Sequence, residues 1–442
     1  MDPEDHAMLA ALVRHGRRHQ IDDFLAQGDG CGWCRHPIRL RGHVVSGHTG
    51  EESVRLSSAS LPDGVLLKAC GSRSEVRCPA CAEVYRGDAR HLVRAGLEGG
   101  KGVPESVADH PAVFLTLTAP GFGTIHATRA SGVCHARHSH DLCEHGRPTT
   151  CERRHVAGDD LVGTPLCVDC YDYVGAVLHN AHTPELWRRT MISLQRRLAS
   201  LLGVTQSEVT KVAPLSFCRV AEFQRRGVVH LHAIVRVDGS GPSAVTAHQL
   251  ASASLEAARG ATVRTGLGSV HWGTELDAQI LENGEERTTK VARYVAKYAT
   301  KSSSEHPGLD ARIASLRDLD GRGLPSHLHR MAATALELDS DTAFAHLKLA
   351  RHAHRLGFGG HFLTKSREYS TTFSALRTAR VQWREARRFG GLVPEGHRSV
   401  GQWRAVGAGW ANQGEELFAA SQQRQRARDR KEVMSEWYSR SE

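Results

Sequence analysis

Runs of apolar residues predict paired strands in the middle of the chain. Residues 112–118 (AVFLTLT) form a short apolar run closed by Pro120 and Gly121, which is typical of a buried strand. Residues 215–237 (LSFCRVAEFQRRGVVHLHAIVRV) contain two β-rich runs on either side of a short polar loop. The loop is Arg-Arg-Gly at 225–227, and a glycine at its last position favours a three-residue hairpin.

Helical spacing of apolar residues predicts helices around these strands. Residues 184–202 form an amphipathic pattern with Pro184 in the first turn. Residues 289–301 (TKVARYVAKYATK) have helical spacing and begin at a threonine suited to an N-cap. Residues 421–442 are so polar that we expect a solvated helix or a disordered tail there.

Composition narrows the class of protein. The 442 residues suggest two to four domains at ~150 residues each. The net charge of +9 fits nucleic-acid binding and simple solubility equally well, although 13 basic residues outnumber 8 acidic ones from Thr372 onward. No apolar run approaches the ~18 residues of a membrane helix, and the acidic start does not resemble a signal peptide. We therefore expect a soluble intracellular protein.

The hairpin predicts a cation site. If the loop is 225–227, Glu222 lies directly opposite His230, and His232 lies on the same face because strand side chains repeat every second residue. A carboxylate and two imidazoles with open positions suit Mg²⁺ or Mn²⁺ that also holds a phosphate. The alternative is a pair of ordinary strand histidines. If the loop were shifted by one residue, Glu222 would lie on the other face of the sheet, and Gln224 or another residue would have to supply the third ligand.

The predicted helix carries two tyrosines. Tyr294 and Tyr298 are four residues apart and share one face, and Lys297 and Lys301 each follow a tyrosine by three residues. Three of the nine lysines of this arginine-rich chain, including Lys290, fall within twelve residues here. A lysine near a phenol favours the phenolate. Alone, the pattern also fits an amphipathic helix with half-buried tyrosines.

Together, the hairpin and the helix indicate DNA cleavage and joining. A tyrosine can attack a phosphodiester when a divalent metal polarises the phosphate, and the covalent product conserves the bond energy for rejoining. Two tyrosines one turn apart allow two consecutive transfers.

Six of the eleven cysteines occur in C-x2-C pairs, which favour zinc over disulfides in an intracellular protein. Cys31, Cys34, Cys78 and Cys81 predict a zinc ribbon, with Cys70 as a possible replacement for one member. A second site would combine the third pair with two further ligands, for which the sequence offers several candidates. The third pair is Cys167 and Cys170, the candidates are Cys134, Cys143, Cys151, His145 and His155, and we prefer Cys143 and Cys151.

The ordered motifs resemble those of a known superfamily. His230-Leu-His232 resembles the HUH motif (U hydrophobic) of HUH endonucleases, and residues 294–301 (YVAKYATK) resemble the paired-tyrosine motif of rolling-circle replication initiators of the bacteriophage A-protein type. Residues 114–118 (FLTLT) look like the first motif of that superfamily. The preceding Cys/His clusters are similar to those of replication initiators from actinobacterial plasmids and integrative elements.

This resemblance implies an α+β fold, in which an antiparallel sheet flanked by helices carries the histidines on a central strand. It implies cleavage of one strand at the origin, leaving a 5′-phosphotyrosine and a 3′-OH primer. Lys297-Tyr298-Ala-Thr-Lys301 fits the K-Y-x-x-K pattern of single-tyrosine initiators, which assigns Tyr298 to the first nick and Tyr294 to the second transfer. Residues 294–297 satisfy the shorter Y-x-x-K equally well.

The sequence and the resemblance together predict three segments. These are an N-terminal zinc-ribbon region (1–105), a nickase core (106–305) with a Cys/His-rich insertion at about 130–172, and a mainly helical, basic C-terminal region (306–442). We expect a bacterial cytoplasmic protein whose partners are single-stranded and origin DNA, a host helicase and a host DNA polymerase. The rival functions are an HUH transposase or relaxase, and a zinc-ribbon DNA-binding regulator that does not cut.

Overall fold

The chain packs into two compact units. The computed structural model describes residues 10, 18–47, 53–129, 132–135, 141–156, 158–239, 245–282, 284–300, 306–388 and 398–439. One unit comprises residues 1–88 and 373–442, and the other comprises residues 89–372.

Within the described residues, eleven strands and ten α-helices follow one another. The strands are β1 (Ile38–Gly47), β2 (Ser53–Ser57), β3 (Leu66–Lys68), β4 (Ala112–Leu117), β5 (Leu215–Phe223), β6 (Val229–Val237), β7 (Thr262–Thr265), β8 (Gly268–His271), β9 (Leu276–Ile280), β10 (Leu363–Lys365) and β11 (Arg398–Ala408). The helices are α1 (Arg18–Gly30), α2 (Pro79–Glu98), α3 (Tyr173–Leu202), α4 (Gln206–Val212), α5 (Ala247–Arg259), α6 (Glu285–Thr300), α7 (Leu316–Asp320), α8 (Ser326–Asp339), α9 (Phe373–Arg388) and α10 (Gln413–Ser439).

The first unit is built around a small antiparallel sheet. Its strand order is β11-β1-β2, and β3 also pairs with β1. Four aromatic residues, Phe24, Trp33, Trp410 and Phe418, pack beside it, and the Trp33 and Trp410 rings stack with their centres 5.8 Å apart. Residues from both ends of the chain thus share one apolar cluster.

The residues that form this unit differ from the segments predicted from the sequence. β11 pairs with β1 from Ile38↔Ala408 to Gly47↔Arg398, so the last part of the chain belongs with the first and not with the residues after 305. The region after 305 is mainly helical, and it also contributes β10 and β11, each to a different sheet. Its polar tail is helical in α10 as far as Ser439. Pairing over such sequence distances leaves no local signal in the residue pattern.

The second unit contains a five-stranded sheet in the order β10-β5-β6-β4-β9, with antiparallel pairing throughout. Side chains alternate between its two faces, as strand geometry requires. Val113, Leu115 and Leu117 of β4 point into an apolar core that α3 and α5 complete. Phe114 contacts the histidine and tyrosine rings instead, on the opposite face, where α6 packs against β5. The observed α+β architecture agrees with the expected class.

Helix α3 begins earlier than its pattern predicts. It starts at Tyr173, capped by the Asp172 side chain, which accepts a hydrogen bond from the Gly175 backbone N–H at 2.7 Å. Pro184 therefore lies inside the helix and not in its first turn. The proline removes one backbone hydrogen bond from the helix, and the packing of its buried residues on both sides of Pro184 offsets that loss.

Candidate active site

The hairpin has the predicted register. Gly227 adopts a left-handed conformation (φ 73°), its N–H donates to the Gln224 carbonyl at 2.8 Å, and the Gln224 N–H donates to the Val228 carbonyl at 3.0 Å. Glu222 pairs directly with His230, as the loop at 225–227 requires. Glu222 and both histidines therefore lie on one face of the sheet.

Asn180 of α3 holds the hairpin turn in place. This side chain is fully buried, and its amide donates to the Gly227 and Leu356 carbonyls at 2.9 Å each. Its carbonyl oxygen accepts from the Val229 N–H at 2.8 Å. All three groups bonded to Asn180 belong to the backbone, and each would lose a hydrogen bond if the Asn180 side-chain amide were removed.

We expect Asn180→Ala to lower the free energy of unfolding by about 3 kcal/mol, because it leaves buried backbone groups unsatisfied. Chemical denaturation of the purified protein measures this change. The control is Arg196→Ala at an exposed position of the same helix, which should stay within about 0.5 kcal/mol of the unchanged protein. Equal stability of the two variants would contradict this account of the turn.

Two threonines orient the histidines. Thr116 on β4 pairs directly with His232, and its Oγ1 lies 3.2 Å from His232 Nδ1. Thr118 Oγ1 lies 3.2 Å from His230 Nδ1. If the Nδ1–H of His232 donates to the Thr116 oxygen, its Nε2 carries a free lone pair, which is the tautomer needed for metal ligation. His230 Nδ1 lies near two side chains, Thr118 Oγ1 and, at 3.3 Å, Gln224 Nε2.

Glu222, the predicted third ligand, and a tyrosine meet at His232. Glu222 Oε2 lies 3.4 Å from His232 Nε2, and the Tyr294 hydroxyl lies 2.9 Å from the same nitrogen. With the lone pair on Nε2, the phenol donates this hydrogen bond. The carboxylate, the imidazole and the phenol thus converge on one point of the sheet.

Burial controls the protonation of these groups. Burial, with His232 and Arg226 nearby, lowers the pKa of His230 to about 3, so this imidazole is neutral at physiological pH. Burial, together with Tyr298 and Glu222, raises the pKa of the Tyr294 phenol above its usual value. A neutral imidazole is a competent metal ligand, whereas a protonated phenol needs a nearby positive charge to become a nucleophile.

The two tyrosines of α6 share one face, as predicted. Their ring centres are 4.5 Å apart, and the Tyr298 ring stacks on His232 with centres 5.9 Å apart. Lys297 Nζ lies 5.4 Å from the centre of the Tyr298 ring. Lys301 lies outside the described residues.

The donor set of this site fits a divalent cation that prefers nitrogen and oxygen. Two imidazoles and one carboxylate would supply three ligands and leave positions open, which suits Mg²⁺ or Mn²⁺ at a phosphate. These three side chains do not belong to the three Cys/His clusters of the described residues, in which all ligand atoms lie within 4.8 Å of one another. Tyr294 already occupies the space beside His232 Nε2.

The first Cys cluster differs by one member from the predicted ribbon. Cys34, Cys70, Cys78 and Cys81 come together, with Cys34 Sγ 3.7 Å from Cys78 Sγ and 3.6 Å from Cys81 Sγ. Tetrahedral zinc separates two sulfurs by about 3.8 Å. Cys31 lies in the same apolar cluster, but its thiol donates to the Gly28 carbonyl at 3.3 Å, because Cys31 directly follows the last turn of α1.

The insertion holds two clusters where the sequence predicted one. Cys143, Cys167 and Cys170 come together as predicted, and His145 is their fourth member, with its Nδ1 3.3 Å from Cys170 Sγ. Cys151 does not join them. It lies in a separate group with His126, Cys134 and His155. Each of these Cys/His clusters could hold zinc.

Several residues of the site carried no chemical signal in the sequence. The sequence pattern places Thr116 and Thr118 in a core strand, and their hydroxyls reach the histidines only because β4 lies beside β6. The alternation of threonine with leucine in FLTLT could have suggested a polar face. Asn180 and His126 had no motif at all.

Comparisons with known proteins show similarity over most of the chain. The chain matches the family RepSA, described as "Replication initiator protein, pSAM2", over residues 20–424. It is 37% identical over 417 residues to a protein of Streptomyces ambofaciens named "Replication initiator protein", which covers 87% of this chain and 86% of the relative. No solved structure is significantly similar to the chain.

One further finding concerns membranes. Among the described residues, every helix is too short or too polar to cross a lipid bilayer.

The family model matches most of the chain, and the replication initiator protein of Streptomyces ambofaciens aligns with 87% of it. The protein therefore belongs to the RepSA family of replication initiator proteins.

Proposed function

We propose that this replication initiator nicks one DNA strand at a rolling-circle origin through a covalent tyrosine intermediate. The observation that carries this proposal is the convergence of Glu222, His232 and Tyr294 on one point, with the phenol 2.9 Å and the carboxylate 3.4 Å from His232 Nε2. A nucleophile and candidate metal ligands in contact match the chemistry of phosphodiester transfer.

His230, His232 and Glu222 would hold Mg²⁺ or Mn²⁺, which withdraws charge from the scissile phosphate when bound. The phenolate oxygen of a tyrosine forms a bond to phosphorus. The bond between phosphorus and the 3′ oxygen breaks, and that oxygen leaves as a 3′-hydroxyl after taking a proton. The product is a 5′-phosphotyrosine and a primer end. The positive charge of Lys297 beside the Tyr298 ring favours the phenolate.

The paired tyrosines divide the reaction into two transfers. The lysine pattern favours Tyr298 for the first nick and Tyr294 for the transfer that rejoins the strand at termination. Tyr294 is the one whose hydroxyl contacts His232. The free 3′-end would then be extended by a host polymerase behind a host helicase, and single-stranded and origin DNA are the substrates.

End-labelled single-stranded oligonucleotides tiled across the DNA that flanks the gene test this function. With Mn²⁺, the purified protein should cut one of them and retain the fragment that carries the new 5′-end. Binding without cutting would identify a regulator instead. Cutting only at the ends of a mobile segment, without replication of a plasmid that carries the gene and its origin, would indicate a transposase or relaxase.

We expect the two threonines to govern the affinity for the metal. Thr116→Val removes the acceptor for His232 Nδ1–H at nearly constant volume, and loss of such a partner weakens metal binding by about tenfold or more. The half-saturating Mn²⁺ concentration for cleavage measures this effect. Thr116→Ser keeps the hydroxyl and should behave like the unchanged protein. If valine and serine gave the same Mn²⁺ requirement, the threonine would not orient the ligand.

A further inference from the structure

The segment between β4 and α3 is folded without an apolar core of its own. Among its described residues from 120 to 170, the buried side chains are those of Cys134, Cys151, His155, Pro165 and Cys167. No regular helix or strand is present in that part, and its backbone pairs only through isolated bridges such as His135↔Cys151. A segment of this kind needs cross-links to hold one conformation.

Four side chains of this segment form a compact group that the sequence did not predict. His126 Nδ1 lies 3.2 Å from His155 Nε2, Cys151 Sγ lies 3.4 Å from His155 Nε2, and Cys134 Sγ lies 3.9 Å from His126 Nδ1. Tetrahedral zinc separates two nitrogens by about 3.3 Å and a sulfur from a nitrogen by about 3.6 Å. The two sulfur–nitrogen separations, 3.4 and 3.9 Å, lie on either side of the sulfur–nitrogen value, and the nitrogen–nitrogen separation of 3.2 Å is close to the nitrogen–nitrogen value.

A carboxylate completes the group from outside. His155 Nδ1 lies 2.6 Å from Asp159 Oδ2, so the Nδ1–H donates to the carboxylate and Nε2 is left free to face Cys151 and His126. The His155 side chain is fully buried. A histidine whose other nitrogen is held by a carboxylate is the usual arrangement of a zinc ligand.

The same aspartate connects the group to the catalytic hairpin. Its backbone carbonyl accepts a hydrogen bond from Arg225 Nη1 at 3.0 Å. The neighbouring Arg226 donates to the Pro120 carbonyl at 2.8 Å and to the Gln224 side chain at 2.8 Å. Gln224 in turn lies 3.3 Å from His230 Nδ1. A fixed position of the insertion therefore fixes the turn that carries the histidines.

We infer that His126, Cys134, Cys151 and His155 bind a zinc ion of their own, separate from the ions of the other two Cys/His clusters. Two thiolates and two imidazoles suit Zn²⁺ and not Mg²⁺. Binding displaces the two thiol protons to solvent, and the two thiolate charges balance the ion. The ion holds the insertion against the hairpin turn, and this second role rests on the proposed nickase function.

Metal analysis of the purified full chain tests the site. The Cys134→Ser, Cys151→Ser double variant should contain one zinc per chain fewer than the unchanged protein. The control is Cys218→Ala, a buried cysteine on β5 outside the clusters, which should lose none. An unchanged zinc content in the double variant would overturn the site.

Two further measurements do not depend on the double variant folding. X-ray absorption at the zinc edge of the unchanged protein should give on average about three sulfurs and one nitrogen per zinc if all three clusters are filled, against about 3.5 sulfurs if this one is empty. Asp159→Asn should lower the affinity of one zinc by about 10–100-fold in chelator competition, whereas Asp160→Asn should not. A sulfur average near 3.5, or equal affinities, would refute the ion.

The cleavage assay separates this inference from the proposed function. If the ion positions the hairpin, Asp159→Asn with that zinc removed should cut about tenfold more slowly than the same variant with it bound. Zinc loss in the double variant of a chain that never cuts DNA would keep the zinc site and reject the nickase. Equal cutting rates with and without that ion would leave a zinc site but reject its role at the hairpin.

Discussion

Changing Tyr294 and Tyr298 together to phenylalanine should abolish the covalent DNA adduct and leave origin binding intact. The phenol oxygens are the proposed nucleophiles, and the substitution removes those two atoms while keeping both rings. The rings should still pack on each other and on His232. Binding to labelled origin DNA and adduct formation in a denaturing gel measure the two properties separately.

The single variants divide the two roles. If Tyr298 makes the first nick, Tyr294→Phe forms the first adduct and fails only in the second transfer, whereas Tyr298→Phe forms none. The opposite pattern would assign the first nick to Tyr294, whose hydroxyl lies beside His232. An adduct in the double variant would show that another residue is the nucleophile.

Changing His230 and His232 to alanine should lower the cleavage rate by on the order of 10²–10³-fold, because a metal at the scissile phosphate contributes several kcal/mol to the transition state. Glu222→Gln should instead raise the Mn²⁺ concentration needed for half-maximal cleavage, since one charged ligand is lost. Both effects should appear with origin binding unchanged. Rates with Mn²⁺ titrated over several decades measure them.

The matched control for the histidines is His248→Ala, at an exposed position on α5. This variant should cut like the unchanged protein at every Mn²⁺ concentration. Undiminished nicking by the His230→Ala, His232→Ala variant would refute the metal site. The tyrosine chemistry would then need another source of positive charge.

Local residue patterns were sufficient to predict the elements that carry the candidate site residues. The glycine at the end of Arg225-Arg226-Gly227 predicts the hairpin register, and that register alone pairs Glu222 with His230. A spacing of four residues on a helix likewise brings the two tyrosine rings together. Both inferences depend only on the regular spacing of side chains along a hairpin or a helix, so they need no knowledge of how these elements pack in the fold.

The other features depend on which elements become neighbours. The hydroxyl of Thr116 meets His232 because β4 pairs with β6, and β11 closes the first sheet from the far end of the chain. Cysteine spacing does not reveal which of the eleven thiols share a site. In the structure, Cys70 lies in the first cluster where Cys31 was predicted, and Cys151 lies with the histidines of another group. Backbone pairing in three dimensions decides these partnerships.

Mapping the covalent adduct tests the central claim most directly. The purified protein would be incubated with the cleaved single-stranded oligonucleotide and Mn²⁺, trimmed with a nuclease and a protease, and analysed by tandem mass spectrometry. Our account predicts a nucleotide on the peptide that contains residues 294–298, attached through a tyrosine to a 5′-phosphate. An adduct on a peptide elsewhere in the chain, or cleavage that leaves no nucleotide on the protein, would contradict it.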